Sequence, residues 1–509
     1  MKRRSLSIFL CLLMLAAVFA TVPMCVSASN TIYIRPDGSV DPASAPIQVQ
    51  DDEYTLTADI YEFIHIQRSG ITLLGGGYTI QGSGTGFGVL LESVSDVTLK
   101  DLIVKGFDQG IELDHSDHNT IIECIATESA TNGIRLSASS FNIITKNDVY
   151  SNNWDGIVLR KVSGIGSSDN LITDNKAYNN YVAGIRIRDN QDQRNSISEN
   201  TVYGQMYGIW VMAGDYSKVE KNIAYQNSEA GIYFTGMPYG LLENNLAYQN
   251  SKEGIFCWGI QYSVVRENTI QENGERGLMI RAGIYSTYEQ NTILNNKIGI
   301  GFRRGATGHN LIQQNWVQGH EIGLNIFDKA RNNNVVTMNT FTQCDIGAVL
   351  DSTSSVTYLH HNKFIDNSAG AYDDGANIWD DDTGEGNFWS DYTGLDNGDG
   401  GRIPDDGVGD TDIPHAGVDW YPLMDPWGPD DEVEKIIENI EEMGLPHGIE
   451  NSLISKLKNA IKSIIKDQSS ASGQLGAFIN EVNAQSGKKL TVEQANDLIT
   501  AAENILAMI

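Results

Sequence analysis

Gly208-Ile209-Trp210-Val211-Met212 decides the fold, because Gly231-Ile232-Tyr233-Phe234-Thr235 and Gly254-Ile255-Phe256-Cys257-Trp258 repeat it at a regular spacing. In an extended chain successive side chains point to opposite faces, so Ile209 and Val211 fall inside while Trp210 and Met212 fall outside. The same parity turns Ile232 and Phe234, Ile255 and Cys257, Leu278 and Ile280, and Ile300 and Phe302 inward. Working outward, the glycine recurs at Gly133, Gly156, Gly184, Gly277, Gly299, Gly323, Gly347 and Gly370, mostly in steps of 22 to 24 residues. An asparagine keeps phase with it at Asn147, Asn175, Asn200, Asn222, Asn245, Asn268, Asn291, Asn315, Asn339 and Asn362. One step is longer, and there Gly164-Ile165-Gly166-Ser167-Ser168 reads as an inserted loop.

A strand, a glycine and an asparagine repeating together predict an all-β chain: a right-handed parallel β-helix solenoid in which each period is one coil. Asparagine amides stacked from coil to coil are expected to hydrogen-bond along the axis and satisfy the turns. The glycine is expected where a corner needs positive φ or a close backbone approach. Gly70-Ile71-Thr72-Leu73-Leu74, Val97-Thr98-Leu99 and Gly110-Ile111-Glu112-Leu113 fit the pattern more loosely. About thirteen coils at roughly 4.8 Å each make a rod on the order of 60 Å long. Leucine-rich and propeller repeats lack this pairing of asparagine and glycine phases.

The chain of 509 residues has 35 lysines and arginines against 65 aspartates and glutamates, a net charge of −30. Nucleic-acid binding through a basic surplus is thereby excluded. Lys2, Arg3 and Arg4 ahead of the apolar run Leu6 to Ala20, with Val26-Ser27-Ala28 after it, read as an export signal spanning residues 1–28. Val22-Pro23-Met24 before Cys25 is a poor lipidation site, and no later stretch is long and apolar enough for a membrane span. The mature chain is expected outside the cytoplasm, secreted or in the cell envelope. Its cysteines, Cys124, Cys257 and Cys344, cannot build a disulfide framework.

Tyr54-Thr55-Leu56-Thr57-Ala58-Asp59-Ile60 and Gly70 to Gly82 resemble the opening of a NosD-type β-helix. Asn387-Phe388-Trp389-Ser390-Asp391-Tyr392 and Asp419-Trp420-Tyr421-Pro422-Leu423 resemble the end module of that family, so the likeness covers residues 31 to 425. It implies a place among the right-handed β-helices of carbohydrate-binding proteins and sugar hydrolases, in secreted prokaryotic, archaeal, surface proteins. Such a likeness speaks for fold far more than for reaction.

Residues 31–372 are read as the β-helix, 373–429 as an acidic end module and 430–509 as a helical domain. From Asp373 to Asp431 there are seventeen acids and one base, Arg402. Asp396, Asn397, Asp399, Asp405, Asp406 and Asp410 alternate with glycines in the manner of secreted calcium loops, without the full EF-hand spacing, so calcium is the expected ion. Val433, Ile436, Ile437 and Ile440 then have helical spacing, and further helices are expected around Leu453 to Ile465, Leu475 to Val482 and, behind the capping box Thr491 to Gln494, Leu498 to Ile505. The partner of this all-α tail is not readable from sequence.

The outward positions of the glycine-led strands share one face, which collects Arg135, Arg160, Arg186, Arg188, Trp210, Tyr233, Phe256, Trp258, Arg281 and Arg303. Tyrosines add two columns, Tyr150 to Tyr248 and Tyr216 to Tyr285. Aromatic rings and arginine forks on an acidic protein suit an extracellular polysaccharide or cell-surface glycan, an anionic one above all. The bland reading is a ladder of like residues shielding a sheet. Glu112, Asp114, His115, Asp117 and His118 form the densest titratable cluster and are the candidates for the alternative, a polysaccharide lyase, uronate epimerase or glycoside hydrolase. The copper association of the family name points to His115 with His118 and His360 with His361, but with cysteines on separate coils a dedicated copper site is not expected.

Overall fold

The computed structural model describes residues 31–509 apart from 304–307, 329–330 and 467; the export signal expected over residues 1–28 lies outside the described residues. The chain winds through three sheets in turn. Tyr207–Met212 lies in the first sheet, Lys218–Glu220 in the second and Ile223–Tyr225 in the third, before Ala230–Thr235 opens the next coil. Pairing between coils is parallel and in these coils unshifted, with Ile209 beside Ile232, Val219 beside Leu242 and Ala224 beside Ala247; among the described residues the register shifts only late in the second sheet, where Arg331–Thr337, Ser355–His360 and Ala376–Ile378 pair. Among the described residues the sheets contain 16, 16 and 14 strands, so the third sheet counts fourteen coils against the thirteen expected. Ile232, Phe234, Ile255, Cys257, Leu278 and Ile280 are fully buried, as their parity requires. A single coil cannot bury its apolar interior by itself, so stability comes from neighbour on neighbour.

Asn245 shows how the corners are held. Its Oδ1 accepts from the backbone N–H and the Nδ2 of Asn222, each at 3.0 Å, while its own Nδ2 donates to the carbonyls of Val219 and Glu243 and to Asn268 Oδ1. This ladder, between the second and third sheets, runs to Asn387 and ends where Asp419 accepts from the Asn387 N–H at 2.8 Å. Two more ladders occupy the other corners. Asn119, Asn142, Asn170 and Asn195 line the corner between first and second sheets, and Asn227, Asn250, Asn273, Asn296 and His320 the corner back to the first.

The glycine column has a different cause from a turn. A Cβ at Gly231 would stand 2.7 Å from Asn250 Nδ2 and 2.8 Å from the Gly254 carbonyl oxygen, so close approach excludes a side chain. Positive φ is carried instead by the residue before the ladder asparagines, as at Lys221 (56°) and Glu267 (54°), with Gly386 before the terminal Asn387 the exception. Non-glycine residues resist that conformation, and the flanking ladder bonds hold it in place. The inserted loop is a tight excursion closed by reciprocal backbone bonds of 2.9 Å between Val162 and Ile165.

Both ends of the solenoid are covered by its own chain. Val40–Asp41 pairs antiparallel with Ile32–Ile34, and Ile47–Gln50 with Glu53–Leu56. At the far end the acidic module supplies the last strands beyond residue 372: Ala376–Ile378 joins the second sheet and Phe388–Trp389 the third. The buried Trp389 stacks on Phe364 at 4.2 Å and donates to Asp419. Four helices follow, α1 (Pro429–Glu442), α2 (His447–Lys466), α3 (Gln468–Gln485) and α4 (Val492–Met508), around their own core of Val433, Leu453, Leu457, Leu475, Phe478 and Leu498. Thr491 caps α4 reciprocally with Gln494. Among the described residues no helix is long and apolar enough to cross a membrane.

Candidate functional site

Sheet register places the outward side chains of the first sheet in columns. Glu112, Arg135, Val158, Arg186, Trp210, Tyr233, Phe256 and Met279 form one. Beside it run Asp114, Ser137 and Arg160 and, further along the rod, Thr235, Trp258, Arg281 and Arg303. The aromatic members of the first column stack along the axis, Trp210 on Tyr233 at 5.5 Å and Tyr233 on Phe256 at 4.9 Å, and the Arg186 guanidinium lies 3.9 Å over Trp210. Their faces are therefore covered by each other, and Tyr233 is 7% exposed. Trp258 in the second column is 41% exposed, with the Arg281 guanidinium 4.4 Å from its ring. The two tyrosine columns are ladders as well, Tyr150 on Tyr178 at 4.9 Å and Tyr216 on Tyr239 at 4.9 Å.

Charges sort the arginines. Arg135 is paired with Glu112, Arg186 with Asp155 at 3.6 Å and Arg303 with Asp328 at 3.5 Å. Among the described residues, Arg160, Arg188 and Arg281 have no carboxylate within 4.0 Å. Burial pushes the Glu112 carboxyl up to about 7 despite Arg135 and the Ser137 hydroxyl, and pushes Asp155 up to about 6 despite Arg186.

The five residues considered for catalysis divide between separate tasks. Glu112 lies in the sheet with its side chain 3% exposed. Asp114 meets His115 Nδ1 at 2.8 Å, Asp117 accepts the Ser140 N–H at 2.6 Å, and His118 stacks on Phe141 at 5.0 Å. In the acidic module, Asp396 accepts the N–H groups of Asp405 and Gly407, and Asp410 those of Asn397 and Gly398. Asn397, Asp399 and Asp406 accept the N–H groups of Asp399, Gly400 and Val408. Five of the six candidate side chains thus fold the loop onto itself, and Asp405 joins through its backbone N–H.

A cluster not anticipated from sequence lies where the solenoid meets α1. His361, Asp381 and Glu385 bring one ligand atom each within 4.8 Å of one another, the group of this kind found among the described residues. His361 Nε2 is 3.0 Å from Glu385 Oε2 and 4.0 Å from Asp381 Oδ2. Lys435 of α1 brings its ammonium 3.0 Å from Glu385 and 3.5 Å from Asp381. Trp427 stacks on the His361 ring at 3.8 Å and carries Lys435 over its own ring at 4.4 Å. Burial opposes ionisation of Asp381, but hydrogen bonds from Thr383 and Glu385 together with Lys435 hold it down at about 2. Burial and the neighbouring His361 push His360 down to about 4. The sequence signal was present in two pieces, His360-His361 and the run Asp380 to Glu385, with nothing to show that the corner and the module converge.

The family description "Periplasmic copper-binding protein (NosD)" matches residues 183–321 and 305–394, and "Right handed beta helix region" matches residues 47–223. No curated protein matches. Among solved structures, the Dettilon tailspike protein gp208 is 15% identical, with a TM-score of 0.41, over 56% of this chain and 66% of its own. The A-module of the Azotobacter vinelandii mannuronan C-5 epimerase AlgE4 is 14% identical, with a TM-score of 0.40, over 62% of this chain and 91% of its own. PfbA, a surface adhesin of Streptococcus pneumoniae, is 10% identical, with a TM-score of 0.35, over 60% of this chain and 82% of its own.

Copper in the family description asks whether donors for it exist here. Among the described residues a thiolate site for the monovalent ion does not: Cys124, Cys257 and Cys344 are sealed at separate coils, and burial pushes their thiols up, Cys124 to about 12. The imidazole and two carboxylates of His361, Asp381 and Glu385 do fit a divalent ion of the nitrogen and oxygen class. The ladders, the three parallel sheets and the two family matches agree, and the chain is a NosD-type right-handed parallel β-helix protein.

Proposed function

We propose that the outer face of the first sheet binds an extracellular or cell-surface polysaccharide bearing acidic groups, lying along the rod. The observation that carries this reading is the half-open Trp258 beside Arg281, on a face where Arg160 and Arg281, with Arg188 just past the end of the strand Ala183–Ile187, have no carboxylate within 4.0 Å among the described residues of a chain with net charge −30. In an acidic protein an arginine left without an internal partner suits an external anion, and its planar fork matches a carboxylate or sulfate. Arg188 and Arg281 are four coils apart, roughly 19 Å at about 4.8 Å per coil, so one chain of several sugars would reach both. The axial stacking of Trp210, Tyr233 and Phe256 makes them a rigid floor, with Trp258, half-exposed between Tyr233 and the Arg281 guanidinium, as the ring that reaches solvent. Secretion or retention in the cell envelope belongs to the same proposal, as does a calcium ion in the loop Asp396 to Asp410.

The test is a glycan array followed by affinities for the intact protein and two variants. Trp258→Ala is expected to weaken binding by about 1 kcal/mol, and Arg281→Ala to weaken acidic glycans alone and flatten the dependence on salt. Absence of binding on the array, or unchanged affinity in both variants, overturns the reading. The enzymatic alternative rests on Glu112, whose carboxyl near 7 is suited to a general acid. Its burial beneath Arg135 and Ser137 favours a supporting place for it over contact with substrate. Release of unsaturated or reducing sugar from mixed uronans by the intact chain, lost in Glu112→Gln, would reverse that preference.

A further inference from the structure

We infer that His361, Asp381 and Glu385 form a binding site for a divalent transition-metal ion, and that Lys435 competes for it as a tethered cation that latches the helical domain to the solenoid. The ligands come from two parts of the chain. His361 precedes the ladder residue Asn362 and is held in left-handed backbone (φ 56°) at a corner of the solenoid, 2% exposed. Asp381 and Glu385 belong to the acidic module, in a turn where Asp381 Oδ1 accepts the Thr383 N–H and hydroxyl at 2.9 and 2.7 Å and the Glu385 N–H at 3.1 Å. Those three bonds fix one oxygen and turn the other, Oδ2, toward His361 and Lys435. Ligands oriented by a second ring of hydrogen bonds in this way are characteristic of metal sites.

A cation already sits there. The Lys435 ammonium neutralises the two carboxylates but cannot use the imidazole, whose nitrogen is left to Glu385 at 3.0 Å. A divalent ion would use all three donors, leaving a coordination position open. It would approach through an adjoining cavity of about 340 Å³ whose charged lining, Lys435 apart, is acidic, with Glu385, Asp425, Asp431 and Glu434 beside an apolar wall that includes Leu423 and Trp427. Imidazole among the donors selects Cu2+ and Zn2+ over Ca2+ and Mg2+. Because ammonium and metal cannot share the same oxygens, metal binding and docking of α1 through Lys435 oppose each other, and by linkage each weakens the other by the same factor.

The intact protein would be titrated with ZnCl2 and CuCl2 by calorimetry, alongside Lys435→Gln, Glu385→Gln and the double variant Lys435→Gln/His361→Gln. Lys435→Gln is expected to tighten Zn2+ binding at least tenfold, and Glu385→Gln to weaken it at least tenfold. The double variant should lose the gain made by Lys435→Gln. Circular dichroism of each variant checks that the solenoid and helices are intact. A second readout is amide exchange over residues 429–442, which should quicken with Zn2+ in the parent, be quick already in Lys435→Gln, and not respond to metal there. Equal affinity in the parent and Lys435→Gln overturns the competition. Binding that survives loss of Glu385, and of His361 in the double variant, overturns the site. Neither result bears on glycan binding at the first sheet, which lies on other residues.

Discussion

Asn245→Ala tests the claim that the ladders, rather than the apolar columns alone, hold the coils in register. The side chain makes five hydrogen bonds, two accepted from Asn222 and three donated to Val219, Glu243 and Asn268. Some partners keep another bond: Asn222 Nδ2 still reaches the carbonyls of Ile197 and Glu220, and the Glu243 carbonyl still accepts from Lys221. The Asn222 N–H, fully buried, loses the acceptor described for it. At about 1 kcal/mol per net bond, and about 2 for a buried donor stranded without an acceptor, the loss comes to about 4 kcal/mol after partial relaxation. Gln249→Ala is the control, since that exposed side chain makes one bond, to Glu272 at 3.0 Å, and should cost under about 0.5 kcal/mol. A solenoid need not unfold in one step, so denaturant melting by circular dichroism should be joined to hydrogen exchange on peptides spanning 218–225, 241–248 and 264–271. Protection is expected to fall in those three coils and to hold in distant ones. A loss under about 1 kcal/mol, or an effect equal to that of Gln249→Ala, would refute the reasoning.

Gly231→Ala forces a methyl to within 2.8 Å of the Gly254 carbonyl and 2.7 Å of Asn250 Nδ2, so a loss of about 2 kcal/mol in a chemical melt is expected, and a neutral result would show that the coils separate easily. Burial raises Glu112 to about 7 and Asp155, Asp192 and Asp419 to about 6, above their unfolded values near about 4, so the native state binds these protons more tightly. Their contribution is complete below about pH 4 and is lost as pH rises to 7, while that of Asp381, held at about 2, is lost as pH falls from about 4. The unfolding midpoint should therefore be higher at pH 5 than at pH 8, Glu112→Gln should reduce that slope, and a midpoint that climbs toward pH 8 would contradict the assignment. Calcium in the Asp396 to Asp410 loop predicts a midpoint lowered by chelator and restored by added Ca2+; an unchanged midpoint rejects the ion.

The solenoid was legible because its repeat writes the same physics many times over: Ile232, Ile255 and Leu278 inside, Asn222, Asn245 and Asn268 at one corner, a glycine at each strand opening. The other two ladders were not separated, since their members change from asparagine to Ser217 or His320, which keep the hydrogen bond but break the letter pattern. Outward parity placed Trp210, Tyr233 and Phe256 on one face, yet parity says nothing about whether rings turn their faces to solvent or to each other. The cluster of His361, Asp381, Glu385 and Lys435 was invisible for a plainer reason. It depends on how the last coil, the module and α1 are set against one another, and no periodicity crosses those boundaries.

The chain-end strands Val40–Asp41 and Ile47–Gln50 run against the direction of every later strand in their sheets. A stack of parallel in-register coils is otherwise a growing template, open to any β-prone segment that meets its rim, as in amyloid elongation. Reversing the last strand at one rim, and closing the other with Phe388–Trp389 and the module behind it, ends that growth within one molecule. Removal of residues 31–50 should therefore raise head-to-tail association, read by light scattering against the intact chain, rather than give merely a shorter rod.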